Sequence, residues 1–403
     1  MPRAGWVKPE SDRRLSDLVS VGVLTRVFPP ALVDEVIAGA GRTERRHRSL
    51  PARVMAYFAI GMGLHSEGSY EDVLSLLTDG LSWRSGWSQS WKLPSKSAIF
   101  QARARLGPEP VEALFRRVAT PLGGAGMSGG WLAGRRLVAI DGTTVDVADS
   151  VENASWFGRP GVNKGEQSAF PQARLVALAE CGTHAIFDAE VGVYTTSEID
   201  LAKVLVERLE AGMLVIADRG FCGYPLWRKA AETGADLLWR AKTNMTPRHV
   251  ETLTDGSWLA ELRPGGNAGR TAEPLPIRVI EFSIDDGRGE SDPFRLFTTI
   301  LDPAEASATD LATAYVQRWE IELAFDELKT HQRGPRTVLR SKSPALVLQE
   351  IWGHLCCHYA IRTLMWEAAD HGGVDPDRVS FVAALRIARR SLSAARDFPP
   401  SSD

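Results

Sequence analysis

Apolar positions pass through three regimes along the 403-residue chain. Up to about residue 122 they recur at helical spacing. Leu32, Val33, Val36 and Ile37 form one stripe, and residues 54–62 are apolar nearly all round, as in a buried helix. Ser69 ahead of Glu71 and Asp72 predicts a capped helix start. Residues 94–107 predict a short helix stopped by Gly107, and residues 110–118 another that bears Arg116 and Arg117. Two short helices across a Gly-Pro turn have the outline of a helix-turn-helix, which many helical domains share.

A glycine-rich stretch, residues 123–134, separates this helical front from a different pattern. It contains Gly124, Gly126 and Gly129 in G-x-G-x-x-G spacing. A helix precedes it and a strand follows, the reverse of what a dinucleotide site requires, so it reads as a domain boundary. Residues 136–141 then form a compact β-run, with residues 143–147 as its hairpin partner across Gly142. Residues 173–179, 184–191, 213–218 and 235–241 predict further strands. Helices from Ser197 to about Leu209 and from Tyr224 to Thr233 alternate with them. This order predicts an α/β core: a mixed sheet flanked by helices.

Residues 263–269 read as loop, whereas 277–284 and 294–300 alternate like strands, giving a β-rich insertion. One long helix is expected from about Asp310 to Thr330, and a helical tail from Pro344 that frays near Pro399. The expected organisation is therefore a helical N-terminal DNA-binding domain (1–122), a linker (123–134) and the first part of the core (135–241). The insertion (242–300), the second part of the core (301–340) and a helical C-terminal region (341–403) complete it.

Charge sharpens this picture. Residues 1–135 carry 18 Lys+Arg against 12 Asp+Glu, a balance of +6, while the remainder holds 29 against 38, a balance of −9. A basic front end suits a phosphate-rich partner, and an acidic remainder leaves room for metal-binding carboxylates. The cluster Arg42, Arg45, Arg46, Arg48 and Arg53 could touch phosphates nonspecifically or simply be a solvated loop. Cys181, Cys222, Cys356 and Cys357 form no C-x-x-C pair and no disulfide framework. With no secretory apolar segment after Met1 and no apolar run long enough to span a bilayer, the chain reads as soluble and cytosolic.

Two carboxylates stand out. Asp141 and Asp218 each end an apolar run and precede a glycine-bearing segment, Asp141-Gly-Thr and Asp218-Arg-Gly-Phe. Ligands gather at the carboxyl ends of strands in such sheets, although Asp after a strand is commonly plain turn chemistry. If the strands are neighbours, the two carboxylates repel unless a cation such as Mg²⁺ or Mn²⁺ lies between them.

On the expected helix at 310–330, Tyr315, Arg318, Glu322 and Lys329 fall near 0°, 300°, 340° and 320°, an arc of about 60° at roughly 100° per residue. A carboxylate flanked by a phenol, a guanidinium and an ammonium suits joint work on a phosphate. A solvated face with exposed ion pairs is the bland alternative, and Asp326 lies near the same stripe. His354 and His358, one turn apart, have the spacing of a zinc pair but not its H-E-x-x-H context, and a packed helix is expected there.

The pattern Tyr315-x-x-Arg318-x-x-x-Glu322-x-x-x-x-x-x-Lys329 resembles the Y-R-E-K signature of the insertion-sequence-four family of DDE transposases. Residues 318–329 are similar to that family's R-W-x-I-E-x-x-F-x-x-L-K core, Asp141-Gly-Thr to its first aspartate motif and Asp218-Arg-Gly-Phe to its second. Residues 24–29 and 50–54 resemble its N-terminal helical domain. The resemblance covers roughly residues 20 to 395. It implies a ribonuclease H-like core in which Asp141, Asp218 and Glu322 hold Mg²⁺ or Mn²⁺, two ions in all, for phosphoryl transfer on DNA.

It further implies recognition of terminal inverted repeats in double-stranded DNA, cut-and-paste movement through hairpinned ends into target DNA, and a homodimer on DNA. Tyr315, Arg318 and Lys329 would grip phosphates, with Arg219 an additional contact. Trp258 in the insertion would receive an extruded base, ahead of Trp239, which sits in an apolar strand. A nuclease of the same core type without strand transfer, or a domesticated DNA-binding protein without catalysis, are the alternatives.

Overall fold

A computed structural model describes residues 22–46, 48–84, 94–161, 168–265, 271–282, 294–334 and 337–393. The expected loop at 263–269, the strand end at 283–284 and the fraying at Pro399 fall partly or wholly outside these residues. The described chain opens with α1 (Gly22–Val27), α2 (Pro30–Gly39), α3 (Ala52–Leu64), α4 (Tyr70–Arg84), α5 (Lys96–Leu106) and α6 (Glu109–Val118). Local chemistry explains their limits. Ser95 Oγ accepts from the Ala98 amide at 3.3 Å to start α5, and Gly107 ends it at φ +74°. From Val54 to Leu64, α3 is buried on every side, as its unbroken apolar composition requires.

One sheet of ten strands follows. Its members are β1 (Trp131–Leu132), β2 (Arg135–Asp146), β3 (Gln172–Glu180), β4 (Ile186–Val193), β5 (Met213–Ala217) and β6 (Asp236–Arg240), continued by β7 (Arg248–Thr252), β8 (Trp258–Leu262), β9 (Leu275–Phe282) and β10 (Phe294–Thr298). Between these strands lie α7 (Val151–Phe157), α8 (Glu198–Leu205) and α9 (Tyr224–Ala231). The order is β4-β3-β2-β5-β6-β10-β9-β8-β7, with β1 paired to β2. Strands β2, β5 and β6 are parallel neighbours, and the remaining pairs are antiparallel.

Several expectations change here. No hairpin turns at Gly142: β2 runs straight through it, pairing Asp141 with Ala177 and Gly142 with Val176 on β3. Asp141 is thus a mid-strand residue whose position marks the end of the neighbouring strand. A Cβ at 142 would lie 2.8 Å from Glu198 Cδ, so a larger residue there would have to displace the Glu198 side chain. His184 belongs to the turn before β4, at φ +54°. The β-rich insertion is not a separate body, since β10 pairs with β6 and carries the same sheet onward through β9, β8 and β7.

The chain closes with α10 (Ala308–Val316), α11 (Trp319–Asp326), α12 (Pro344–Gly372) and α13 (Phe381–Ser393). The single helix expected over 310–330 is in fact α10 and α11, broken at Gln317–Arg318, with a π-helical turn over Glu327–Gln332. A capping box between Ser307 and Asp310 starts α10. The 29-residue α12 is the central strut, lying against α3 and α6. Buried Arg103 of α5 fastens the two ends of the chain, donating to Gln349 Oε1 at 2.9 Å, Ser341 Oγ at 3.1 Å and the Leu346 carbonyl at 3.2 Å.

Candidate active site

The parallel register of β2 and β5 brings the two aspartates together. Ile140 pairs with Ala217, so the next residue on each strand, Asp141 and Asp218, lies side by side, about 5 Å apart by strand spacing. Asp141 and Thr143 point to one face of the sheet, being two residues apart. The α11 helix and the π turn after it cover that face. Lys329 Nζ donates to Thr143 Oγ1 at 3.0 Å, and Arg318 Nη1 lies 2.8 Å from Glu322 Oε1 and 3.7 Å from Asp141 Oδ2.

Arg318, 8% exposed, stands between the carboxylates as their counter-charge. Burial pushes the Asp141 carboxyl up to about 6. The Gly142 amide and Arg318 pull it back, and Glu322 and Glu198 add to the rise. Tyr315 follows the same logic: burial, then the charge of Asp218, raise its hydroxyl above the ordinary range. Tyr315, also buried, lies beside Arg318, which pulls its hydroxyl back against that rise.

The donor set suits a hard cation: carboxylate oxygens, and no soft ligand in the group. The three carboxylates are not yet gathered tightly, because the guanidinium occupies the space between two of them. Among the described residues only His184, Glu320 and Asp377 bring ligand atoms within 4.8 Å of one another. That group includes Glu320 of α11, which is buried, and is better read as part of a polar network with Arg362. Arg362 Nη2 lies 2.6 Å from His184 Nδ1, and His184 Nε2 lies 3.2 Å from Asp377 Oδ1 and 3.7 Å from Glu320 Oε2. His354 and His358 form no pair either. His354 faces Gln332, and His358 Nε2 lies 3.1 Å from Glu327 Oε2.

Arg219 is exposed beside Asp218 and forms no ion pair among the described residues. Trp239 is fully buried in β6. Trp258 is not brought to the site. The register Ala217–Trp239–Phe297–Val279–Trp258 puts it four strands from β5, about 19 Å along the sheet, and its ring lies 5.2 Å from that of His249.

Two site residues were missed from sequence. Arg240 ends β6 with its guanidinium 4.0 Å from the Phe294 ring and Nη1 4.0 Å from Asp218 Oδ1. Only strand pairing reveals that proximity. Trp319 is 58% exposed, with Arg318 Cζ 4.8 Å from its ring centre. Its position within the signature helix next to Arg318 was a usable signal.

Comparison with known proteins identifies the family. A transposase of the insertion sequence element IS4 of Escherichia coli (strain K12), InsG, is 28% identical over 374 residues, spanning 92% of this chain and 83% of that protein. A piggyBac transposase, solved in a synaptic complex with hairpin DNA, shares the fold at a TM-score of 0.50 and 12% identity, covering 92% of this chain and 79% of that one. Residues 18–116 match the family described as insertion element 4 transposase N-terminal. Residues 132–360, more than half of the chain, match the transposase DDE domain, so this chain belongs to the insertion-sequence-four family of DDE transposases, enzymes of DNA transposition.

Proposed function

We propose that this transposase cuts double-stranded DNA at the inverted-repeat ends of its own element and joins those ends to target DNA, working as a homodimer on DNA in the nucleoid-bearing cytoplasm. One observation carries the reading: Arg318 bridges Glu322 and Asp141 at the strand pair that also presents Asp218. The strand order β4-β3-β2-β5-β6, with three antiparallel strands and two further parallel ones, supports a ribonuclease H-like core.

Asp141, Asp218 and Glu322 would hold one or two divalent ions, Mg²⁺ or Mn²⁺, which supply Lewis-acid activation of a water or 3′-hydroxyl nucleophile and neutralise the leaving oxygen. The chain's own groups do the rest. Arg318, released from the carboxylates, offers its planar fork to a phosphate oxygen. Tyr315, which neighbours Arg318, serves as a neutral donor. Lys329, held by Thr143, sets a fixed positive charge on the same face, and Arg240 and Arg219 extend it past Asp218.

Water opens the first strand; the freed 3′-hydroxyl then attacks the opposite strand to form a hairpin. After the hairpin is reopened, that 3′-hydroxyl joins target DNA. Each step exchanges one phosphodiester oxygen for another, and the attacking hydroxyl's proton ends on the leaving oxygen.

The test uses Asp141→Asn and Glu322→Gln in the full chain. Both should abolish Mg²⁺-dependent nicking of an end duplex and leave binding to it largely intact. Full nicking in either variant would refute the assignment. A pre-cut end that the wild-type chain does not join to a target plasmid would instead reduce the reading to a nuclease.

A further inference from the structure

The cations of the N-terminal helices divide sharply by helix. On α6, which the sequence marked with Arg116 and Arg117, both are engaged. Arg116 lies 2.9 Å from each of Glu112, Asp188 and Glu190, and Arg117 lies 3.6 Å from Glu35. That helix also buries Val111, Leu114 and Phe115 against its neighbours. It is therefore fastened to the catalytic body and has little left to offer a second molecule.

The α5 helix is the opposite case. Its buried face is Ile99, Ala102, Arg103 and Leu106. Its other face exposes Lys96, Ser97, Phe100, Gln101, Ala104 and Arg105. Lys96 to Ala104 fall within an arc of about 140°. Phe100 is 45% exposed. Lys96 forms no ion pair, and the Ser97 hydroxyl and Gln101 amide form no hydrogen bond, among the described residues. No carboxylate lies on this face.

Residues 41–50 flank the same helix. Arg42 Nη1 donates to the Arg105 carbonyl at 3.5 Å, and Arg105 Nη2 to the Leu50 carbonyl at 3.5 Å. Arg105 is held below its usual value by burial and then by the charge of Arg48, against the pull of Glu44, so Arg48 and Glu44 both stand near the end of α5. Arg45, Arg46 and Arg48 are exposed and form no ion pair among the described residues.

A helix face that presents Lys96, Ser97, Phe100 and Gln101 with no carboxylate of its own, beside exposed arginines, is complementary to a groove lined with phosphates. An α-helix fits the major groove of B-form DNA, where an amide such as Gln101 can pair with an adenine edge and an ammonium such as Lys96 with a guanine edge. An aromatic or aliphatic side chain there meets the thymine methyl.

We infer that α5 is the base-reading helix of this transposase, seated in the major groove of the element's end duplex, with Lys96, Phe100 and Gln101 on base edges and Arg45, Arg46 and Arg48 on flanking phosphates. This rests on the reading that the chain recognises its element's ends, and it names the surface that does so.

The experiment measures anisotropy of two fluorescent duplexes, one spanning the terminal inverted repeat beside the gene and one with that sequence scrambled. The full chain carries Asp141→Asn so that it binds without cutting. Lys96→Ala and Gln101→Ala should each lower the ratio of end to scrambled affinity by about 5- to 150-fold, the range of one good base contact, with scrambled binding nearly unchanged. Replacing Arg45, Arg46 and Arg48 by Ala should weaken both duplexes alike and lower the salt slope by about 3.

All of these side chains are exposed, so thermal unfolding should match that of the parent. A preference that survives Lys96→Ala together with Gln101→Glu overturns the assignment of α5 and leaves the catalytic reading standing. A parent chain that does not prefer the end duplex overturns end recognition itself, and this inference with it.

Discussion

Arg318 Nη1 lies 2.8 Å from Glu322 Oε1, one helical turn away, in the space a metal ion between Glu322 and Asp141 would need. In this structure the guanidinium neutralises crowded carboxylates. Under the proposed function, Asp141, Asp218 and Glu322 would hold the divalent ion and Arg318 would turn to a phosphate oxygen. A point charge on a flexible stem does not replace a planar fork in that role. Arg318→Lys should lower single-turnover nicking about 100-fold while end binding changes only a few-fold, the pattern of a group that acts mainly in the transition state. Equal losses in binding and nicking would show that Arg318 only anchors DNA.

Trp319 presents its indole next to Arg318, whereas Trp258 sits about 19 Å away along the sheet. An exposed ring beside the reacting strand can stack on a base that leaves the helix. Trp319→Ala should slow hairpin formation from a pre-nicked end more than the first nick, both followed on denaturing gels. Trp258→Ala is expected to spare both steps in a chain acting on its own. A Trp258 variant with the selective hairpin defect would mean that the insertion swings onto the DNA.

The crossing of α12 over α3 depends on Gly353. A Cβ there would lie 2.3 Å from the Ala59 carbonyl oxygen, so a backbone must move. Gly353→Ala should cost about 3 kcal/mol, the upper end of overpacking penalties. Gly61→Ala should cost clearly less, because its nearest contact is the flexible Leu77 side chain at 3.2 Å. Urea midpoints of the two variants give the comparison, and equal values would contradict it.

Acid should loosen the fold in a definite window. Burial and then Arg389 hold His65 down to about 4. Burial also lowers His354, helped by Arg333 and Arg340, and lowers His358 against the pull of Glu327. These rings stay neutral when folded, so below an unfolded value of about 6.5 the unfolded chain binds more protons and stability falls. Glu327 adds to the loss below about 4.3. Burial would raise its carboxyl, yet hydrogen bonds from His184 and His358 and the charge of Arg362 hold it well below the usual range. Asp141 and Glu320, raised by burial to about 6 and about 7, take up protons in the folded state and oppose this loss. The three rings outnumber them, and the urea midpoint should drop from pH 7 to pH 5. His65→Gln should flatten that drop; an unchanged slope would clear His65 of the effect.

Much of this protein follows from its sequence alone. Continuous apolar runs predict β2, β5 and β6, because strands buried on both faces have no polar alternation to show. The three carboxylates and the stripe of Tyr315, Arg318 and Lys329 are local patterns, tied together by their resemblance to one family. What one dimension does not carry is pairing. That Asp141 lies inside a twelve-residue strand, rather than before a turn, depends on β3 supplying partners past Gly142. The break at Gln317–Arg318 arises where α10 and α11 turn to cover the sheet face, and no proline or glycine announces it. Arg240 comes beside Asp218 from 22 residues away through the register of β5 and β6. Which cations are free was decided the same way: Arg116 found partners on β4, while Lys96 found none among the described residues. Charge is written in the sequence, but whether a charge is spent depends on its neighbours in space.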